Sequence, residues 1–405
     1  MRRGEIWVSP PKYGYILYSG VACIWPEAVK SLDRGIMFEL DSETAEVLAT
    51  APISVAPFDP AGFPDFFVMS ALQDPASLLD QRADSLWEDE RRDKLAATKI
   101  RTAINASPDI NALALQNGAL RVVSLNLGMC IRVRQMMWQA THNTEVFRPR
   151  PNEQALRPEL LAESSSKFSP AWLTQPVNIR PGLDDDAYHR ILIPVAPSIE
   201  RVQLAIALNR CALNFIILHE MAHIVRNQSA FLPGSRSAFF TEIRDNLPAQ
   251  ANEEQIRLEC LLEVDADIAA VDVAFSNANR SDDLWAGWTD SPIERAGLSI
   301  ISIALVFWLF QACNISLMGA DPLHPSPLTR IMMLASYLGD IIPGFGLLDA
   351  DDVVPFTLGA IASAAKVWDD FGLSGRPSFS NDGALEAMSE VEEITRALRH
   401  LGIRG

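Results

Sequence analysis

Five consecutive residues, His219-Glu220-Met221-Ala222-His223, have types and spacing that could do chemistry. Histidines four apart on a helix project from one face, so both imidazoles can reach a single metal ion. A zinc ion that performs hydrolysis needs three protein ligands and one open position for water. His219 and His223 supply two of the three. Glu220 sits one residue on, where its carboxylate can reach the water and not the metal, and can take a proton as the water attacks a carbonyl. The surrounding sequence, ALNFIILHEMAHIVRN, is strongly apolar. A carboxylate and two imidazoles are costly to bury among Ile, Leu, Met and Ala unless something compensates them.

A candidate for the third ligand lies downstream. The stretch NEEQIRLECLLEVDADIAAVDVAF, from about Asn252 to Phe275, contains neither Pro nor Gly and reads as a helix. Glu263 on it could complete a metal triad. Asp267, one turn later, could accept from the outer nitrogen of a ligand histidine and hold its tautomer. Glu259 shares the same helical stripe, so spacing alone leaves it a rival ligand. A solvated acidic face is the plain alternative, since Glu253, Glu254, Asp265 and Asp272 are close by. Leu261, Leu262, Val264, Ile268 and Ala269 around Glu263 and Asp267 argue instead for a half-buried turn.

With these residues in place, the sequence resembles the gluzincin metallopeptidases. Their second signature, E-x-[DE]-A-D-x-x-A, is matched by Glu263-Val264-Asp265-Ala266-Asp267-Ile268-Ala269-Ala270. The resemblance implies Zn²⁺ held by His219, His223 and Glu263 instead of Glu259, Asp267 behind a ligand histidine, and hydrolysis of a protein or peptide substrate. His324-Pro325-Ser326-Pro327-Leu328-Thr329-Arg330 is similar to the H-P-x-x-x-x-R element of HtpX-like and prenyl-protein (CAAX) peptidases. That likeness implies His324 or Arg330 at the active site, stabilising the developing oxyanion; the plain alternative for His324 is a turn residue beside prolines. The resemblance covers about residues 200–335, in the family's order. Without N-terminal hydrophobic helices, the sequence resembles soluble members such as the phage-exclusion (Lit-type) peptidases more than membrane-embedded ones.

The elements that must position these groups are legible in outline. Residues 1 to about 80 contain short runs, EIWVS, YGYILYS, GIMFEL, PISVAPF and DFFVMSAL, separated by Pro, Gly and Asp, which predict strands. DSLWEDERRDKLAATKIRTAI has helical spacing and mixed charge, and ALRVVSLNLGMCIRVRQMMW fits a strand, a strand pair or the start of a helix. Ser198 followed by Glu200 marks a helix start, and Leu204, Leu208, Cys211, Phe215 and Leu218 continue it at helical spacing. Further helices are expected near 296–318, from Leu328, and at the amphipathic ALEAMSEVEEITRALRH. The expected organisation is a mixed region over 1–148, a Pro- and Ser-punctuated linker or wrapping segment over 149–190, and a mainly helical, zincin-like half over 191–405. The fold class is α+β. The Phe-rich segment 229–252, between the two motif helices, could act as a lid.

Composition narrows the partners. A formal charge of −17 argues against nucleic acid and anionic membranes, which require clustered Lys and Arg. The five cysteines form no C-x-x-C pair, so they predict neither a thiolate metal site nor a disulfide framework and fit a cytoplasmic protein. The N-terminus lacks the apolar run of a signal peptide. Residues 296–319 carry no charge and are long enough to span a bilayer, although a buried core helix is the favoured reading. No G-x-S-x-G elbow, P-loop or dinucleotide-binding glycine pattern occurs. A peptidase is therefore expected. The alternatives are a non-catalytic regulatory or binding protein on the same scaffold, or a membrane-anchored peptidase spanning the bilayer with 296–319.

Overall fold

The computed structural model describes residues 7–8, 13–18, 21–26, 99–117, 120–151, 153–154, 166–226, 228, 239–241, 253–280, 285, 288–318, 325–373 and 381–400. It also describes 162 and scattered positions between 44 and 79. Helix dominates, with two small sheets, so the class is α+β. The first sheet is an antiparallel meander of β1 (Trp7–Val8), β2 (Tyr13–Tyr18) and β3 (Val21–Pro26). The second has the order β4-β6-β5-β7, from β4 (Lys99–Asn105), β5 (Ala112–Asn117), β6 (Leu120–Asn126) and β7 (Phe239–Thr241). In it β6 runs parallel to β4 and antiparallel to β5.

Several local expectations are revised. Lys99–Asn105, expected to end a helix, forms β4. Its alternation explains why: Ile100 and Ile104 join the main core, while Ala103 on the other face joins Leu113, Leu115, Leu120 and Val122. Conversely, DFFVMSAL, expected as a strand, is helical at Phe67, Val68, Ala71 and Leu72, all buried. Their i, i+1, i+4, i+5 spacing makes one helical face. GIMFEL, most of PISVAPF, and the charged run before Lys99 lie outside the described residues. ALRVVSLNLGMCIRVRQMMW resolves into β6 followed directly by helix α1 (Leu127–Ala140).

Among the described parts of residues 149–190 are a 3-10 turn at Pro170–Thr174 and helix α2 (Asp185–Leu192). Asp184 caps α2 by accepting from the Ala187 amide at 2.7 Å, with Asp185 and Asp186 in its first turn, so DDDAYH is a helix start. Carbonyls without ladder partners must be satisfied some other way. The buried side chains of α1 do this: Arg132 donates to the Gln175 and Pro176 carbonyls, Arg134 to Leu192, and Gln135 to Ile191.

The long helices follow. They are α3 (Ile199–Val225), α4 (Glu253–Arg280), α5 (Pro292–Met318), α6 (Pro327–Ile341), α7 (Ala350–Asp370) and α8 (Asn381–His400). The Ser198 hydroxyl accepts from the Arg201 amide and caps α3 as expected. Helix α3 packs against α1, α4, α5 and strands β5 and β6, so apolar residues occupy all its faces. Helices α3 and α5 are each long and apolar enough to cross a membrane. Within the protein, 83% and 89% of their most apolar windows are buried. One apolar cluster runs from Phe58 through α1, α3 and α5 to Phe371, across the 149–190 segment.

The turn into α1 is tight. A Cβ on Gly128 would lie 1.9 Å from the Pro108 carbonyl oxygen, and the Gly128 amide donates to Ser107. Gly128→Ala is expected to destabilise the protein by about 1–3 kcal/mol or more, the cost of forcing extra volume into a packed site. Chemical denaturation will check this; unchanged stability would contradict the close approach.

Candidate metal centre

Two helices build the site. The C-terminal third of α3 carries His219, Glu220 and His223, and the middle of α4 carries Glu263 and Asp267; the two helices pack along their length. All five side chains are buried, with Glu220 only 1% exposed. His219 Nε2 lies 3.0 Å from His223 Nε2. Glu263 Oε2 lies 3.1 Å from the first nitrogen and 3.5 Å from the second. Among the described residues, His219, His223 and Glu263 are the group that could hold a metal ion. Glu259 is also buried but does not join that group.

The outer nitrogens define the protonation of the inner ones. His219 Nδ1 lies 2.9 Å from Asp267 Oδ1. Asp267 receives a fork from Arg330, with Nε on Oδ2 and Nη2 on Oδ1, both at 2.6 Å. Burial by itself would push the Asp267 carboxyl up, but Arg330 and His219 together outweigh it and hold its pKa below the ordinary value. An ionised Asp267 can only accept, so His219 Nδ1 carries the proton and its Nε2 presents a lone pair.

A second chain fixes His223. Its Nδ1 meets Gln228 Oε1 at 2.5 Å, and Gln228 Nε2 donates to Asp265 Oδ2 at 2.7 Å. Asp265 is fully buried and ion-paired with Arg226. The acceptor-only carboxylate orients the amide, the amide oxygen accepts a hydrogen bond from His223 Nδ1–H, and His223 Nε2 is left with a lone pair. Thus two imidazole lone pairs and one carboxylate oxygen converge inside an apolar shell. Ligands about 2.0–2.1 Å from a tetrahedral zinc stand about 3.3–3.4 Å apart, close to the separations seen here. The donor set therefore fits a small divalent cation such as Zn²⁺.

The structure brings together five of the residues singled out from the sequence, His219, Glu220, His223, Glu263 and Asp267, and joins Arg330 to them through Asp267. Its guanidinium forks onto Asp267 and lies 4.3 Å over the Phe307 ring. This puts it behind His219 on the Nδ1 side, where it holds the carboxylate that orients the histidine. His324 lies outside the described residues. Of the lid segment 229–252, Phe239–Thr241 is described: it is β7, paired antiparallel with Leu113–Leu115 of β5.

Gln228, Asp265 and Arg226 had no role in the sequence reading. Asp265 fills the [DE] position of the gluzincin-like signature, but the pattern assigns it no partner, and a helix buried on every side from Leu261 to Val271 gives no periodic sign of which neighbour each acid meets. Gln228 lies beyond the end of α3, and only the turn at Arg226 brings it back to His223.

Other titratable groups take structural positions. His142 Nε2 bonds the Val195 carbonyl, and His400 is exposed. Cys130, Cys211, Cys260 and Cys313 are in no disulfide, and burial pushes the thiols of Cys130, Cys211 and Cys313 up to about 12, which leaves them unreactive.

No protein family, curated protein or solved structure matches the chain.

Asp267→Asn and Gln228→Leu are each expected to weaken zinc binding about 10–100-fold, as loss of a partner behind a ligand histidine does. Competition with a chromogenic chelator measures this. Affinities equal to the parent's would show that neither chain orients its imidazole.

Proposed function

We propose that the protein is a zinc-dependent endopeptidase acting on a protein or peptide substrate. One observation carries the reading: His219 Nε2, His223 Nε2 and Glu263 Oε2 meet within 3.0–3.5 Å, with their outer nitrogens already committed to Asp267 and Gln228. The gluzincin-like order of motifs supports the same assignment and a zincin-like arrangement of α3 and α4.

Zinc, when bound, would supply an acidified water and a Lewis acid for the scissile carbonyl. The protein's own groups supply the rest. Glu220 follows His219 on the same buried helix, and its carboxylate would accept the proton of the attacking water and return it to the leaving amine. The apolar walls of α3 and α5 keep bulk water from the proton-transfer path. Asp267 with Arg330, and Gln228 with Asp265, hold the two imidazoles in the tautomer that ligation needs.

A cytoplasmic location is part of the proposal. It rests on the acidic composition, the free thiols and the enclosure of both apolar helices by protein.

Glu220→Gln should leave zinc content at one ion per chain while lowering peptide hydrolysis by at least about 10²–10⁴-fold, the usual worth of a general base. Metal analysis paired with a proteome-wide cleavage screen reads both. Parent protein that retains zinc but cleaves nothing would favour the non-catalytic scaffold.

A further inference from the structure

A cleft of about 720 Å³ lies away from the metal centre, between residues 146–151, the first turns of α5 and the middle of α7. Helices α3 and α5 run side by side in the same direction, with Cys211 beside Ser299 and Phe215 against Phe307. The inner wall at Leu298 and Ile301 is therefore level with Cys211, about 12 Å before His219 along α3 at 1.5 Å per residue. The volume is that of a small-molecule site.

Two features keep the cleft open and apolar. Gly297 and Gly359 line it from the interiors of α5 and α7. A Cβ at Gly359 would meet nothing within 4 Å, and one at Gly297 would only touch the Phe356 ring at 3.5 Å. Helix-interior glycine costs about 1 kcal/mol relative to alanine, and packing does not require it at Gly359. Of the five exposed large hydrophobic residues among those described, Ile293 lines the cleft, and Val354 and Leu358 directly precede lining residues on α7.

The uncommitted polar groups here are donors. Trp288 is part of the wall and 6% exposed, and its Nε1–H is buried without an acceptor among the described residues. The same is true of the Arg150 Nε–H, whose guanidinium stacks 4.7 Å over the Trp288 ring. Arg148 is exposed at the lip. The acid in the lining, Glu294, already accepts from Arg150 and from the Thr289 hydroxyl. Buried donors without acceptors are costly, and a ligand that accepts relieves them.

We propose that this cleft binds an apolar carboxylate. Its alkyl or aryl portion fills the space beside Gly359, and its carboxylate accepts from Trp288 and Arg150 and faces Arg148. The same chemistry is offered by a free fatty acid and by the C-terminal residue of a peptide ending in a large apolar side chain. The site is independent of the peptidase reading.

Calorimetric titration of the full chain tests it with four probes: decanoate, decylamine, and a tripeptide ending in Leu as free acid and as amide. Decanoate, the free-acid peptide or both should bind, and which one does identifies the source; decylamine and the amide should not bind. Arg148→Gln and Trp288→Phe should each weaken binding about tenfold, as loss of one charge-assisted or buried hydrogen bond does. Gly359→Leu should abolish binding while thermal stability is kept or raised. Absence of binding by both carboxylates, equal binding of acid and amide, or binding that survives Gly359→Leu would overturn the proposal.

Discussion

The structure depends on holding two imidazoles and several carboxylates inside the contact between two buried helices. Helix α3 is apolar on every face and enclosed by α1, α4, α5 and the second sheet. Each polar group placed there must be compensated within the protein, because water is not available to do so. His219 is answered by Asp267, Asp267 by Arg330, and Arg330 by the Phe307 ring. His223 is answered by Gln228, Asp265 and Arg226 in turn. The neighbours on both sides of the motif are arranged to absorb its polarity outward, leaving lone pairs facing inward.

This arrangement links stability and the proposed chemistry. A buried aspartate beside a bidentate arginine is strongly coupled, and removing one partner strands a charge. The four-stranded sheet is coupled to the same region, since β7 comes from the connection between α3 and α4 and completes the sheet that packs on α3. Disturbing that edge would reach α3 through β5. The 149–190 segment is held differently, by Arg132 of α1 on the Gln175 and Pro176 carbonyls and by Arg201 of α3 on Glu153. Residues 146–151, which lead into that segment, form one wall of the apolar cleft, so the cleft is built on the same scaffold as the proposed catalytic centre.

Much of the candidate site was legible from residue order alone. Helical spacing places His219 and His223 on one face, the Pro-free and Gly-free runs mark α3 and α4, and Ser198 announces the start of α3. These are local properties, set by backbone geometry and capping within a few residues. The likeness to gluzincin motifs singled out Glu263 over Glu259, and the packing of α4 on α3 brings Glu263 to the two imidazoles.

Tertiary structure decided what local spacing cannot carry. The i, i+1, i+4, i+5 positions of Phe67 to Leu72 could be read as a β-rich run until a core lay along one side. Lys99–Asn105 followed a charged stretch, and its alternation gained meaning only from β6 beside it. Arg330 could have faced substrate or protein, and the position of α6 against α4 set it on Asp267. Gln228 became a partner of His223 only because the chain turns back at the end of α3. In each case the deciding interaction joins residues whose proximity is created by packing, whereas the motif itself needs only a single helix.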